Sequence, residues 1–206
     1  MTRAIYYTAT TLDGFLADDH DSLDWLFVVE QEQDGFPLFL DTIGAIVQGS
    51  TTYEWVVRHE DLIAHPEKWP EFYGARPNWV FSRRALPRID GADLRFASGD
   101  VREPWPDIAA SAGDRDVWIV GGGDLAGQFA DAGLLDEIRV SVAPATLPSG
   151  KPLLPRRLGP DRLELTAVRR TGAFAELHYA VSRGAAQARD RVADSRPVTK
   201  NPHISG

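Results

Sequence analysis

Cysteine is absent from the 206 residues and methionine occurs once, so neither a disulfide framework nor a thiolate site can be built. Long apolar runs are also missing. None approaches the roughly 20 residues that cross a bilayer as a helix, and no apolar targeting segment follows Met1. Positive charge is scarce: 22 Lys and Arg stand against 30 Asp and Glu, a formal net charge of −8. That balance repels a nucleic-acid backbone, and no Lys/Arg cluster with interleaved aromatics offsets it. Metal ligation is poorly served too, because His59 and His65 lie six positions apart and do not share a helical face as ligands four apart would. These absences fit a cytoplasmic protein whose core forms without metal or disulfide, and whose partners include neither membrane nor nucleic acid.

What the chain does have is a set of strands that end in turns suited to anions. The apolar run Val117-Trp118-Ile119-Val120 breaks into Gly121-Gly122-Gly123 and resumes at helical spacing through Asp124, Leu125, Gln128 and Phe129, which reads as strand, turn, helix. Glycines there permit a sharp turn and close approach of a ligand, and the first helical amides attract a phosphate. Gly122 is expected where the strand gives way to the helix, at a position that a positive φ would suit. The spacing is not G-x-G-x-x-G, no phosphate-loop lysine motif occurs, and both a phosphate cradle and a plain tight turn fit. A second junction follows the short strand 45–47, at Gly49-Ser50-Thr51-Thr52, where hydroxyls can cap a helix or hold a phosphate. A third strand, 77–81, runs into Ser82-Arg83-Arg84. Arginines suit a ribose 2′-phosphate where a carboxylate would suit the free hydroxyl, so a dinucleotide bound here would be NADP(H).

The remaining elements place these junctions. Residues 4–10 form a β-rich run followed by the turn signal Asp13-Gly14. Asp24 either caps a helix or reaches into a cleft. Helical spacing covers 37–43, and 59–73, interrupted by Pro66 and Pro70, reads as a surface excursion. Residues 93–96 are strand, 101–112 and 125–132 helix, 135–143 strand, and 144–152 a loop. In that loop Ser149-Gly150-Lys151-Pro152 lacks the upstream glycine of a phosphate loop. Residues 163–170 and 175–182 alternate with period two as an antiparallel hairpin, with His178 on its polar, surface face. Residues 184–206 carry almost no apolar side chains and read as a disordered tail after a domain at 1–183. The whole predicts a three-layer α/β/α domain with a mixed sheet, mostly parallel and closed by the antiparallel hairpin, whose ligands bind at the carboxyl ends of the strands.

In this order the pieces resemble the dihydrofolate-reductase-like fold, and within it the reductase domain at the C-terminus of the bifunctional riboflavin-pathway deaminase-reductase and its stand-alone relatives. The likeness covers residues 3–182. It rests on Leu12-Asp13-Gly14-Phe15-Leu16-Ala17, Leu23-Asp24-Trp25-Leu26, Gly49-Ser50-Thr51-Thr52-Tyr53-Glu54, Val80-Phe81-Ser82-Arg83, Val120-Gly121-Gly122-Gly123 with Leu125 and Gln128, and Leu147-Pro148-Ser149-Gly150. The resemblance implies NADPH across the sheet, its phosphates at Gly49, Ser50, Thr51 and Thr52 and at Gly121, Gly122, Gly123, Asp124 and Leu125, with Gln128 on the same helix. It places the 2′-phosphate at Ser82 and Arg83 and the nicotinamide against Ala17 and the first strand. Relatives carry a basic residue directly after the glycine matching Gly49, where this chain has Ser50. The pterin-holding carboxylate of dihydrofolate reductases has no clear match among Glu30, Glu32 and Asp34.

The implied activity is hydride transfer from NADPH to a small heterocyclic or carbonyl/imine-type substrate, as in 5-amino-6-(5-phosphoribosylamino)uracil reductase. Asp13 and Asp24 are the candidate catalytic contacts to substrate, and the resemblance suggests a homodimer. The alternative is a non-catalytic nucleotide-binding or sensing domain that retains the fold.

Overall fold

Strand, turn and helix alternate through the described residues of this computed structural model, 2–30 and 35–183. In chain order they are β1 (Ala4–Thr11), β2 (Phe15–Ala17), α1 (Asp24–Phe27), α2 (Phe36–Asp41), β3 (Ile43–Gly49), α3 (Ser50–His59), α4 (Trp69–Tyr73) and β4 (Asn78–Phe81). There follow β5 (Leu94–Ala97), α5 (Trp105–Ala112), β6 (Asp116–Gly121), α6 (Gly123–Asp131), β7 (Leu135–Ala143), β8 (Lys151–Pro152), β9 (Leu163–Thr171) and β10 (Phe174–Val181). The tail at 184–206 lies outside the described residues.

Eight strands form one sheet in the order β5-β4-β3-β6-β1-β7-β10-β9, while β2 and β8 pair separately. The six strands from β5 to β7 run parallel, and β10 and β9 close the sheet antiparallel. Interior strands of a parallel sheet are covered on both faces and read as unbroken apolar runs, and β3 is buried from Ile43 to Gln48. On one face α5 and α6 bring Ile108, Ala126 and Phe129 onto Val47, Val117 and Ile119. On the other, α2, α3 and α4 bring Phe39, Tyr53 and Trp69 onto Ile5, Ile46 and Val80. The expected three-layer α/β/α architecture, with a mostly parallel sheet and a C-terminal antiparallel hairpin, is therefore the one observed. No helix among the described residues is long and apolar enough to cross a membrane.

Two expectations are corrected. Residues 59–73 are not a surface excursion: Leu62, Trp69 and Tyr73 are buried in the core. Pro66 opens a 3-10 turn and Pro70 sits in the first turn of α4, where proline's missing N–H costs nothing, so both prolines start helical turns. His178 is not a surface residue either, its side chain being only 12% exposed. It stands in register with Arg139 of β7, and its ring hydrogen-bonds to Glu176. Polar side chains on this sheet face cover one another, which strand alternation alone does not reveal.

Candidate active site

Two strand-to-helix turns meet at the carboxyl ends of β3 and β6. Gln48 and Gly121 stand opposite each other in the sheet. A Cβ placed on Gly49 would lie 3.6 Å from the Gly121 carbonyl oxygen and the Gly122 nitrogen, so the turns are in van der Waals contact. Gly49 and Gly122 occupy the N-cap positions of α3 and α6, and neither helix has a side-chain cap. The orphan N–H groups and positive dipole ends of both helices thus fall side by side, an arrangement that favours an anion.

Beside them opens a cleft of about 510 Å³. Thr8 and Ala9 of β1, Thr51 and Thr52 of α3, and the Val120–Asp124 turn contribute to its lining. An apolar wall comes from Leu23, Trp25 and Leu26 around α1 and from Trp55 and Val56 of α3. The β2–β8 pair adds Leu16, Ala17, Lys151 and Pro152.

The three central glycines answer three different demands. Gly121 has φ 151°, a region that L side chains rarely adopt. Gly122 is extended at φ −78°, contrary to the expected positive φ, and a Cβ there would meet no atom of the chain within 4 Å. Since Gly122 lines the cleft, its backbone is open on that side. At Gly123 a Cβ would run into the carbonyl oxygens of Pro152 and Leu153, so that glycine serves the approach of the β8 segment. The segment is further fixed by the Leu153 N–H donating to the Gly14 carbonyl at 2.9 Å and by the Tyr6 hydroxyl donating to the Leu153 carbonyl at 2.8 Å. Burial pushes the Tyr6 phenol far above its ordinary pKa, so it remains a donor.

Other expected site residues turn out to be engaged elsewhere. Asp124 lines the cleft but accepts hydrogen bonds from Gln128 Nε2 and Arg156 Nη2, both at 2.9 Å, and these contacts hold its carboxyl below the usual range. Arg156 passes over Gly127 and also reaches Asp131 at 2.7 Å. Gln128 belongs to that clamp, and the Leu125 side chain is core. The Ser82 hydroxyl closes its own turn with the Arg84 backbone, and Arg84 forms a two-pronged pair with Glu54. Arg83 is exposed and makes no ion pair among the described residues. Ala17, Thr51 and Thr52 line the cleft, whereas Gly49 and Ser50 do not.

The carboxylates expected to touch substrate do not line the cleft. Asp13 is exposed and latches a loop, accepting the Thr11 hydroxyl at 2.5 Å and the Leu147 N–H at 3.0 Å. Asp24 is exposed at the start of α1, with neighbours Leu23 and Trp25 facing the cleft in its place. Glu30 is exposed outside the lining, while Glu32 and Asp34 lie outside the described residues. The charged lining residues missed from sequence are Asp21 and Lys151, along with the wall of Trp25 and Trp55. Gly150 before Lys151 carried a usable signal: a Cβ there would collide with the Ala17 carbonyl, so the glycine marks a close backbone approach.

Comparison with known proteins agrees with this architecture. A family model described as the RibD C-terminal domain matches residues 107–174, from α5 to the start of β10. The uncharacterized protein YyaP of Bacillus subtilis (strain 168) is 31% identical over 155 residues, covering 73% of this chain and 79% of its own. Among solved structures, a Shewanella sp. PV-4 protein provisionally ascribed to riboflavin biosynthesis superposes with a TM-score of 0.71 at 24% identity, over 88% of this chain and all of that one. Dihydrofolate reductase from Enterococcus faecalis, complexed with NADP(H) and RAB-propyl, gives 0.56 at 12% identity over 88% of this chain and 97% of its own. These two share the fold. With its dihydrofolate-reductase-like sheet and a relative of this identity over most of both sequences, the chain belongs to the RibD C-terminal domain family.

Proposed function

We propose that the protein is an NADPH-dependent reductase acting on a small heterocyclic or carbonyl/imine-type substrate. The observation that carries this reading is the pair of uncapped helix N-termini in contact beside one cleft, with the Gly122 backbone open to it. That geometry fits a diphosphate. The amides of the first turns of α3 and α6, with the Thr51 and Thr52 hydroxyls, would bind it. Arg83, which has no ion-pair partner among the described residues, would take the 2′-phosphate. Thr8, Ala9 and Ala17 would flank the nicotinamide end.

When bound, NADPH supplies the hydride. The protein's own part is orientation and exclusion of water, served by Leu23, Trp25 and Leu26 on one side and Trp55 and Val56 on the other. Arg156 neutralises Asp124 at the head of α6, so the carboxylate there does not repel a phosphate.

Titration of the purified protein with NADPH and NADH, followed by a screen of reducible compounds at the nicotinamide absorbance band, tests the proposal. NADPH binding with oxidation on addition of a substrate supports it. Binding with no turnover across the screen supports the non-catalytic alternative, for which Ser50 in place of the relatives' basic residue is the specific motive.

A further inference from the structure

A second pocket, of about 350 Å³, opens between α2 and the strands β7, β10 and β9. It shares no lining residue with the cleft at the β3 and β6 turns. Arg139, Arg169 and Arg170 line it, and Glu176 is the one carboxylate among its described lining residues. In a chain of net charge −8 this is a local reversal of sign. A concave site lined by one sign of charge focuses the field it creates and draws in counter-ions.

Strand register gathers these charges. Arg139 of β7 stands opposite His178 of β10, and Glu176 of β10 opposite Arg169 of β9. Residues two apart on a strand share a face, so these four side chains lie on one side of the sheet, together with Tyr7, which is in register with Arg139 on β1. Arg170 lines the pocket from the hairpin end, its Nε donating to the Gly172 carbonyl at 3.0 Å. Among the described residues, the core that α2, α3 and α4 make with the sheet takes no residue from β7, β10 or β9, so the helical layer on that side stops short of these strands.

The carboxylates at hand are already engaged. Glu176 is hydrogen-bonded to the His178 ring and accepts the Thr171 hydroxyl at 3.3 Å. Glu137 accepts Arg139 Nε at 2.6 Å and Arg3 Nη1 at 3.1 Å. Arg139 is also held with its guanidinium carbon 5.1 Å from the centre of the Phe39 ring, and neither of its Nη groups has a hydrogen-bond partner among the described residues. There the Arg169 side chain has no hydrogen bond or ion pair, and Arg170 has only its contact with Gly172. Three guanidinium groups on one pocket repel one another, and an arrangement that works against stability in this way marks a functional site more often than a structural one. We propose that this pocket is a second binding site, separate from the cofactor cleft, for a small divalent oxyanion, a phosphoryl group or a dicarboxylate, held by Arg139, Arg169 and Arg170. Guanidinium serves both chemistries, because its planar fork of N–H donors matches a pair of anionic oxygens. The volume, at the small end of ligand pockets, suits a metabolite-sized anion.

Titration of the isotope-labelled full chain with inorganic phosphate, succinate and acetate at low salt, followed through its amide NMR shifts, tests the site. At least one of the two dianions should move the amides near Arg139, His178 and residues 169–172, with NADPH present or absent, and acetate should bind about tenfold or more weaker because it carries half the charge. A response to phosphate alone assigns a phosphoryl ligand, and one to succinate alone a dicarboxylate. Arg169→Gln combined with Arg170→Gln alters only exposed side chains, so the double variant should fold as the wild type does and lose about tenfold or more of the dianion affinity. The proposal is overturned if neither dianion binds, if acetate binds as tightly, if the double variant binds like the wild type, or if the shifts are confined to residues 49–52 and 121–125 of the diphosphate track. A double variant that changes oligomeric state, with no dianion bound by the wild type, overturns it too and assigns the arginines to a contact between subunits. Failure of NADPH to bind sinks the reductase reading and leaves this site standing.

Discussion

The Asp13 carboxylate accepts the backbone N–H of Leu147 at 3.0 Å, joining the turn after β1 to the loop after β7. The Thr11 hydroxyl donates to the same carboxylate and accepts the Phe15 N–H at 3.0 Å, so three segments are fastened around one acid. Asp13→Ala should speed hydrogen exchange at the Leu147 amide. The Thr11 and Leu147 hydrogen bonds hold the Asp13 carboxyl below its ordinary pKa. A carboxyl lowered in the folded state contributes stability above its unfolded value and loses it as pH falls through the folded one. The difference in melting temperature between wild type and variant should therefore shrink as pH drops below about 4. A difference that is flat with pH would contradict the latch.

The β8 segment rests on Tyr6 and Gly123. Tyr6→Phe leaves the Leu153 carbonyl without its buried partner and should cost about 1 kcal/mol. Gly123→Ala forces a methyl into the carbonyls of Pro152 and Leu153 and should cost about 1–3 kcal/mol. Urea unfolding of the two variants checks both figures, and losses under about half of the lower one would show that the segment is not held there.

Arg83 and Arg84 are adjacent but not equivalent. Arg84 is already paired with Glu54, whereas Arg83 is exposed and has no ion pair among the described residues. Loss of a charge-assisted contact costs about 1.5–3 kcal/mol, so Arg83→Ala should narrow the preference for NADPH over NADH by about tenfold or more. Arg84→Ala should leave the ratio alone. Equal affinities for the two cofactors in the wild type would remove the basis of this prediction.

Arg156 acts on the cleft through Asp124. Removing the guanidinium leaves a carboxylate at the head of α6, beside the proposed phosphate position. Arg156→Ala should weaken NADPH binding, and the double variant with Asp124→Asn should recover most of the loss. A double variant as weak as Arg156→Ala alone would mean that Arg156 contributes by holding the fold or by contacting the ligand itself.

Strand-to-helix junctions, the parallel sheet and the closing hairpin are legible in the sequence because their signals are periodic and local. Distant partners leave no such trace. Asp13-Gly14 announces a turn but not that its carboxylate meets Leu147. The run Gly121-Gly122-Gly123 announces backbone freedom but not which glycine serves a bend, which faces the cleft and which admits Pro152 and Leu153. The two residues of β8 are too few to show any period, so Lys151 reads as loop, and Asp21 is hidden among acidic neighbours whose backbone shape alone distinguishes it. Pro66 and Pro70 read as breaks because a proline that starts a helical turn looks, from sequence, like one that ends it.

The account depends most on the open backbone at Gly122 being where the cofactor's diphosphate lies. Gly122→Val tests this directly, because φ −78° accepts any side chain and a Cβ there meets no atom of the chain. The measurement is the NADPH dissociation constant of the variant beside its unfolding midpoint, with Gly122→Ala as the smaller step. A midpoint within a few degrees of wild type, with affinity lower by about tenfold or more, is the result expected for a side chain standing in the diphosphate's place. A folded variant that binds NADPH as tightly as the wild type would contradict the account.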